Sequence, residues 1–573
     1  MKQADVYLIR PTRYDDAGYP LQWWRSIIPS NSLATVSGLV RDAVAREVLG
    51  PGVGVRIHEI DESNDFIAPE QIVRRARAGL SRQIVFLVGV QTNQYPRAMD
   101  LARRLRAGGI PVCIGGFHVS GCLGTLKEMT PELREAQELG VSLFAGEAEE
   151  GRLDEVLRDA WGPGLKPLYQ YLDQAPALGG QPLPFLERST TGRLAAPFSC
   201  FDLGRGCPYL CSFCAIINVQ GNKSRFRTPD DLEAIVRRDL STGVYSFFIT
   251  DDNFSRNQQW EPLLDRLIEL RRKGLEFRLV IQTDTMAHRR RNFIAKCAEA
   301  GVAVTFVGME SINPDHLQSV GKRQNHVDEY KELFLSWKAH HILISAGFII
   351  GFPGDTRESV LRDIDTIKRE LPIDLLSISI LTPIPGSMDY QRAREAGIWM
   401  DPDLNKYNFT YAVTRHPTMS VKELDDLYRE VQERFFSWEH ALTIMRRTAA
   451  FHSQRRASIV NALTEYLVTM KYENCSMIEG GIGRIRRRTE RRPGLAREHP
   501  LLFYPKAIFL GVRGVVATVW LARRLRLMAD RIFEDPRCAE YRDAALIPPA
   551  PTSVQAPAQV QTRQQPQAAT QAR

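Results

Sequence analysis

Twice along this chain, strand-length apolar runs alternate with stretches of helical period, and that alternation leaves few folds open. Between residues 1 and 160 the runs "DVYLIR", "VRIHEID", "QIVFLVGV", "PVCIGG" and "VSLFAGE" are separated by amphipathic segments such as "SGLVRDAVAREVL", "YPRAMDLARRLRAGG" and "RLDEVLRDAW". Repeated strand–helix units bury both faces of a sheet, so the pattern predicts a doubly wound parallel α/β domain over 1–160. The Pro- and Gly-rich stretch from Trp161 to Glu187 reads as a linker reaching 197. A second alternation follows, with strands "SCFDLGRG", "SFFITDDN", "FRLVIQT", "AVTFVGME", "LISAGFIIGFP" and "LLSISILTPIP". Six such units over 198–400 predict a partial (β/α)6 barrel, open rather than closed by eight strands.

From about residue 418 the pattern turns helical, which predicts a mainly helical C-terminal domain over 401–545. The Pro-, Gln- and Ala-rich end, 546–573, holds too few large apolar groups to offset ordering entropy and is expected to be a disordered tail. With 44% hydrophobic and 25% charged residues the chain reads as an ordinary soluble globular protein. Nine cysteines, an odd and uneven set, do not suggest a disulfide framework, and "MKQADVYLIRPTRYDD" offers no apolar signal core. A reducing, cytoplasmic setting is expected. The +8 net charge sits largely in one place: "RIRRRTERRPGLAR", 484–497, holds seven arginines against one glutamate.

Three of the nine cysteines crowd into "GRGCPYLCSFC", with Cys207, Cys211 and Cys214 spaced Cys-x3-Cys-x2-Cys. Three small buried residues, or a zinc site, are the simplest readings, but zinc lacks a fourth ligand at a usual interval. Three thiolates on one loop suit an iron–sulfur cluster better, because sulfur satisfies iron and a four-iron cluster so held keeps one iron open. The spacing, with the aromatic Phe213 before the last cysteine, resembles the signature of the radical S-adenosylmethionine superfamily. The resemblance implies a [4Fe-4S] cluster on the three cysteines and S-adenosylmethionine on the open iron, cleaved by one electron to a 5′-deoxyadenosyl radical.

Further strand ends fit that family. Asp251 and Asp252 in "ITDDNF", Glu310 and Ser311 in "VGMES", and Gly351 with Gly354 in "GFIIGFPGDT" stand where members contact S-adenosylmethionine or substrate. Asp251 and Asp252 also precede a helix, where capping would account for them equally well. The residues that do the chemistry on substrate are not identified by this reading.

In the N-terminal domain, "VGVQTN", "IGGFHV" and "FAGEAEE" end strands with small residues, and no GxGxxG follows the first strand, which argues against a dinucleotide. These segments resemble the cobalamin-binding domain that precedes the radical domain in one subclass. The resemblance implies cobalamin lying against Gly89, Gly115, Gly116, Gly146 and Glu147, with His118 in the pocket wall. The Asp-x-His-x-x-Gly that supplies a histidine to cobalt elsewhere is absent, since "RPTRYDD" follows the first strand. Cobalamin without a protein ligand on cobalt is therefore expected.

Together the two domains resemble the cobalamin-dependent radical S-adenosylmethionine enzymes, mostly methyltransferases, over about 1–400. That resemblance implies methyl transfer to an unactivated carbon of a small-molecule or lipid substrate, with an external one-electron donor such as flavodoxin or ferredoxin. Cyclisation, rearrangement or oxygen insertion by the same parts is a second reading, and a non-catalytic iron–sulfur or cobalamin sensor a third. The apolar segment 504–533, beside the arginine run, reads either as an interfacial helix on anionic lipid or as a buried helix packed on the barrel. The arginine run has little aromatic interleaving and reads as a solvated face, so no nucleic-acid partner is expected.

Overall fold

The computed structural model describes residues 3–126, 128–451, 455–473 and 475–549. Two six-stranded parallel sheets dominate it. The first is built from β1 (Gln3–Arg10), β3 (Gly54–Asp61), β4 (Arg82–Leu87), β5 (Val112–Gly115), β6 (Ser142–Ala145) and β7 (Leu168–Gln170), in the order β3-β1-β4-β5-β6-β7. Its inner strands, such as β4 and β6, are apolar almost throughout because both faces are covered. Helix α1 (Asn31–Ala45) and the helix Arg152–Trp161 bury Leu33, Val40, Val156 and Leu157 on one side. The helix Tyr95–Arg106, α2 (Phe117–Leu126) and α3 (Pro131–Glu138) bury Leu101, Val119 and Leu133 on the other. The chain winds outward in both directions from β1, so a crevice opens between the ends of β1 and β4.

One strand of this sheet comes from the expected linker: Leu168–Gln170 pairs in parallel with β6 through Leu143, Phe144 and Ala145. Three residues between Pro- and Gly-rich flanks are too short to show a period in sequence. At the other end, Leu546 closes a short turn and is buried, so packing continues just past the expected domain boundary at 545. The remainder of the expected tail, from 550 on, lies outside the described residues.

The second sheet consists of β8 (Phe198–Phe201), β11 (Ser246–Ile249), β12 (Arg278–Thr283), β13 (Val302–Glu310), β14 (Leu343–Ile350) and β15 (Leu375–Ile380), in sequential order. It is an open six-stranded barrel, with β8 and β15 as its free edges. Between β8 and β11, β9 (Gly204–Arg205) and β10 (Arg225–Phe226) pair antiparallel and close the base of the intervening loop. Helices α4 (Val421–Phe435), α5 (Trp438–Phe451), α6 (Arg456–Leu467) and α7 (Pro500–Phe533) form the C-terminal region, and α4 to α6 extend the barrel core.

The arginine run is not a solvated face. Its first residues form β16 (Gly481–Ile485), which pairs antiparallel with β2 (Gln22–Ser26) of the N-terminal region. Arg484 and Arg486 then reach Asp15 at 3.0 and 2.6 Å, and Arg492 reaches Asp403 at 2.8 Å. Glu490, the one acid of the run, accepts from Arg97 and Arg104 at 2.9 Å each. Asp15, 469 residues before Arg484, and Asp403, 89 residues before Arg492, take up part of the charge, and no local pattern signals that pairing. The run stitches the C-terminal region to the first domain.

Candidate active site

The three cysteines stand on the loop that leaves β8, in the span that the β9–β10 ladder closes off. Cys211 is buried, Cys207 and Cys214 are half-buried, and the Cys214 amide donates to the Cys211 carbonyl at 3.1 Å. Burial, with the neighbouring thiols adding to it, pushes the Cys214 thiol up to about 12 and raises that of Cys207. Cys207 and Cys214 thus favour their neutral form until a cation compensates, which is the environment a soft metal centre reverses.

A second loop, after β13, braces the first. The Ser212 amide donates to the Val320 carbonyl at 2.9 Å, and Gln324 Nε2 donates to Cys211 Sγ at 3.7 Å. Lys322 pairs with Glu310 and lies 5.7 Å over the Phe213 ring. Burial works against the Lys322 ammonium, yet Glu310 and the cysteines outweigh it and its pKa is raised. Sequence reasoning missed this segment, because "VGKRQN" reads as an exposed turn and only its long-range partners mark it.

The expected strand-end residues divide into two groups. Asp252 accepts from the Gly206 amide at 3.0 Å and faces a cavity of about 1400 Å³, as do Glu310 and Cys214. Burial pushes both Asp251 and Asp252 up to about 7. Asp251, however, is turned to the root of the cysteine loop, accepting from the Leu203 and Gly204 amides at 2.7 and 2.8 Å and from Asn257 at 2.9 Å. Ser311 is buried and accepts from the Asn313 amide at 3.0 Å. Gly351 donates to Asp355 at 2.8 Å and backs onto Leu424 of α4, while Gly354 lies against His316. These four positions sit behind the cavity wall and hold its loops in place.

The opposite wall of the same cavity is the crevice end of the first sheet, where Gly89, Gly115, Gly116, Gly146 and Glu147 are found. Gly116 adopts φ +144°, and a Cβ there would stand 2.2 Å from the Val90 amide nitrogen, so only glycine fits without displacing backbone. His118 is not in this wall. The turn at Gly115–Gly116 starts α2 so that Phe117 and Ser120 face the cavity, while His118 points into the domain core. There its Nδ1 lies 3.3 Å from Thr92 Oγ1 and its ring 4.2 Å from that of Tyr95, and burial holds its pKa down at about 3.

Glu147 joins the two walls. It pairs with Arg205 and Arg225, each at 2.5 Å, and Arg205 also reaches Glu149 at 2.7 Å and Asp202 at 3.1 Å. Burial opposes the charges of Asp202, Glu149 and Arg205, but Arg205 and Arg227 still hold Asp202 down at about 2. Asn31 of α1 adds hydrogen bonds to Asp202 and Thr250 at 3.2 and 3.0 Å. Alongside, Gly121 of α2 packs so closely on the loop after β15 that an added Cβ would lie 2.3 Å from the Pro385 carbonyl oxygen.

The cavity continues into the barrel, past Ser345 and Ser377, to Glu465 and Tyr466 of α6 and to Thr518 and Ala522 of α7. Tyr466 and Ser345 hydrogen-bond at 3.0 Å. Burial alone pushes Glu465 up to about 7. The volume exceeds the roughly 300–1,000 Å³ that accommodates one small ligand.

Residues 202–367 match the Radical SAM superfamily profile, a span that runs from the end of β8 to the helix before β15. Among curated proteins, the chain is 24% identical over 340 residues to the hopanoid C-2 methylase of Rhodopseudomonas palustris, covering 59% of this chain and 62% of that protein. It is 26% identical over 352 residues to the bacteriochlorophyllide d C-8(2)-methyltransferase of Chlorobaculum tepidum, covering 57% of this chain and 73% of that protein. The solved structure of the radical S-adenosylmethionine methyltransferase TsrM from Kitasatospora setae, with cobalamin and a [4Fe-4S] cluster bound, superposes with a TM-score of 0.50 at 15% identity. That match covers 77% of this chain and 86% of TsrM, and at such identity it concerns the fold.

Proposed function

We propose that this chain, a radical S-adenosylmethionine enzyme by its 202–367 domain, is a cobalamin-dependent methyltransferase acting on an unactivated carbon. One observation carries the reading. A single cavity brings Cys214, Asp252 and Glu310 of the barrel face to face with the glycine-lined end of the first sheet. The donor set fits both groups: Cys207, Cys211 and Cys214 would hold a [4Fe-4S] cluster, and Gly89, Gly115, Gly116 and Gly146 offer backbone to a flat corrin. No histidine lines the cavity among the described residues, which favours cobalt without a protein ligand. When bound, the cluster supplies the electron that cleaves S-adenosylmethionine and the corrin supplies the methyl group.

The chain's own contribution is placement and exclusion of water. Glu310, anchored by Lys322, and Asp252, anchored by the Gly206 amide, present two carboxyl groups toward the open side of the cysteine loop, suited to an ammonium and ribose hydroxyls. Farther in, the lining is dominated by Phe86, Phe306, Phe348 and Ile349, with Glu465 the ionisable group supplied by α6. This suits an apolar small-molecule or lipid substrate with one hydrogen-bond donor. An external donor such as flavodoxin or ferredoxin would supply the electron. The relatives named above, a hopanoid methylase and a bacteriochlorophyllide methyltransferase, support methyl transfer; the chain spans only 62% of the former's length.

The test is anaerobic turnover of reconstituted enzyme with methyl-deuterated S-adenosylmethionine and mass spectrometry of the product. Retained label is expected. A product without label moves the assignment to cyclisation or rearrangement, and absence of 5′-deoxyadenosine under every condition moves it to a sensor.

A further inference from the structure

Helix α7 is 34 residues long, and its two faces have opposite characters. Gly514, Ala517, Leu521, Leu525, Ala529 and Ile532, at helical spacing, are buried, and the helix packs on α5, α6 and β16. The other face carries Leu501, Ile508, Val512, Val516 and Val519, which are 56–78% exposed, with Phe509 and Trp520 beside them at 64% and 47%. At 100° per residue these positions form one continuous stripe about 30 Å long. Single exposed apolar residues need no explanation, but a contiguous stripe of this length does. The stripe ends in exposed Arg523 and Arg526, continues the same helical face, and is flanked at its start by exposed Arg497 and Lys506.

We propose that this face is the seat of the protein on an anionic membrane surface, with α7 lying in the interface plane. The helix is long and apolar enough to cross a bilayer. Its packed face rules out crossing, since a spanning helix would have to leave α6 and β16. Cations at both ends of an apolar stripe match a surface of anionic headgroups over acyl chains, not a second copy of the same stripe, whose arginines would repel. Residues 550–573 contain no Leu, Ile, Met or aromatic side chain with which to cover it. The flank of the same helix contributes Thr518 and Ala522 to the cavity lining, so the seat borders the site. Delivery of a lipid substrate through that border rests on the function proposed above; the seat itself does not.

The experiment is flotation of the full-length protein with vesicles of phosphatidylcholine containing phosphatidylglycerol, and with phosphatidylcholine alone. Binding to the anionic vesicles is expected, weakened by salt. V512E/V516E, neither residue lining the cavity, should lower partitioning by roughly a hundredfold, and R523Q/R526Q by about thirtyfold. Both variants should keep the circular dichroism and the 5′-deoxyadenosine yield of the parent with soluble reductant. Failure to float overturns the proposal, as does equal binding to neutral vesicles. A dimer in solution that V512E/V516E dissociates, without flotation, overturns it in favour of self-association. Flotation with no methyl transfer would retain the seat and sink only the methyltransferase reading.

Discussion

The two walls of the cavity are made by opposite means. On the barrel side, the wall is carried by side chains: thiols on a closed loop and carboxylates whose orientation is fixed by Lys322 and the Gly206 amide. On the side of the first sheet it is carried by missing side chains, with Gly89, Gly115, Gly116 and Gly146 exposing backbone. The first wall is suited to gripping a charged, compact group, the second to admitting a broad flat one. Between them stands the Arg205 cluster, so the cavity exists only while two domains remain clamped. Separating the walls experimentally is the most direct way to test that division.

The largest effect is expected from Cys211→Ala, which should reduce bound iron and 5′-deoxyadenosine formation to background while corrin retention stays near the parent level. Iron, sulfide and corrin analysis of anaerobic preparations reads both at once; loss of both groups together would show that the walls are not independent. Arg205→Met strikes the clamp, leaving Asp202, Glu147 and Glu149 buried without their shared cation. A loss of about 3–5 kcal/mol in unfolding free energy is expected, with both iron and corrin occupancy falling, and Arg205→Lys should recover part of it.

A smaller and one-sided effect is expected from Gly116→Ala. Forcing a Cβ against the Val90 amide at positive φ should cost about 1–3 kcal/mol and lower corrin retention several-fold without touching iron. The smallest effect is a pH dependence at the cavity floor. The folded pKa of Glu465, about 7, lies above its ordinary 4.5. Its contribution to stability is therefore fully present below pH 4.5 and is lost as pH rises through 7. Glu465→Gln, which cannot ionise, should melt higher than the parent at pH 8 and alongside it at pH 5. A constant difference across that range would show that Glu465 does not titrate as placed.

Much of this was legible in the residues. The alternation of short apolar runs with stretches of helical period places every strand of the barrel and five of the six in the first sheet, because run length and helical period are set locally. The cysteine loop is legible for a related reason: three thiols within eight positions carry their spacing in the covalent chain. His118 shows where legibility ends. Its fragment "HVSG" lies beside the right turn, but which side of α2 faces the cavity depends on the φ of Gly116 and on contacts with Tyr95 and Thr92. Asp251 and Asp252 are neighbours with the same chemistry, and one supports the loop from behind while the other faces the cavity. Alternation across a strand end separates them, and no composition argument does.

The sequence by itself determined the succession of elements and the spacing of the cysteine loop, since both follow from interactions within a few residues. Tertiary structure alone decided which carboxylates face the cavity, that the arginine run is a clasp to Asp15 and the Glu490 pairings, and that α7 keeps one apolar face outward. Those outcomes depend on partners 12 residues away in one case and 469 in another, and a charge or an apolar stripe acquires its meaning only from what folding places, or does not place, against it.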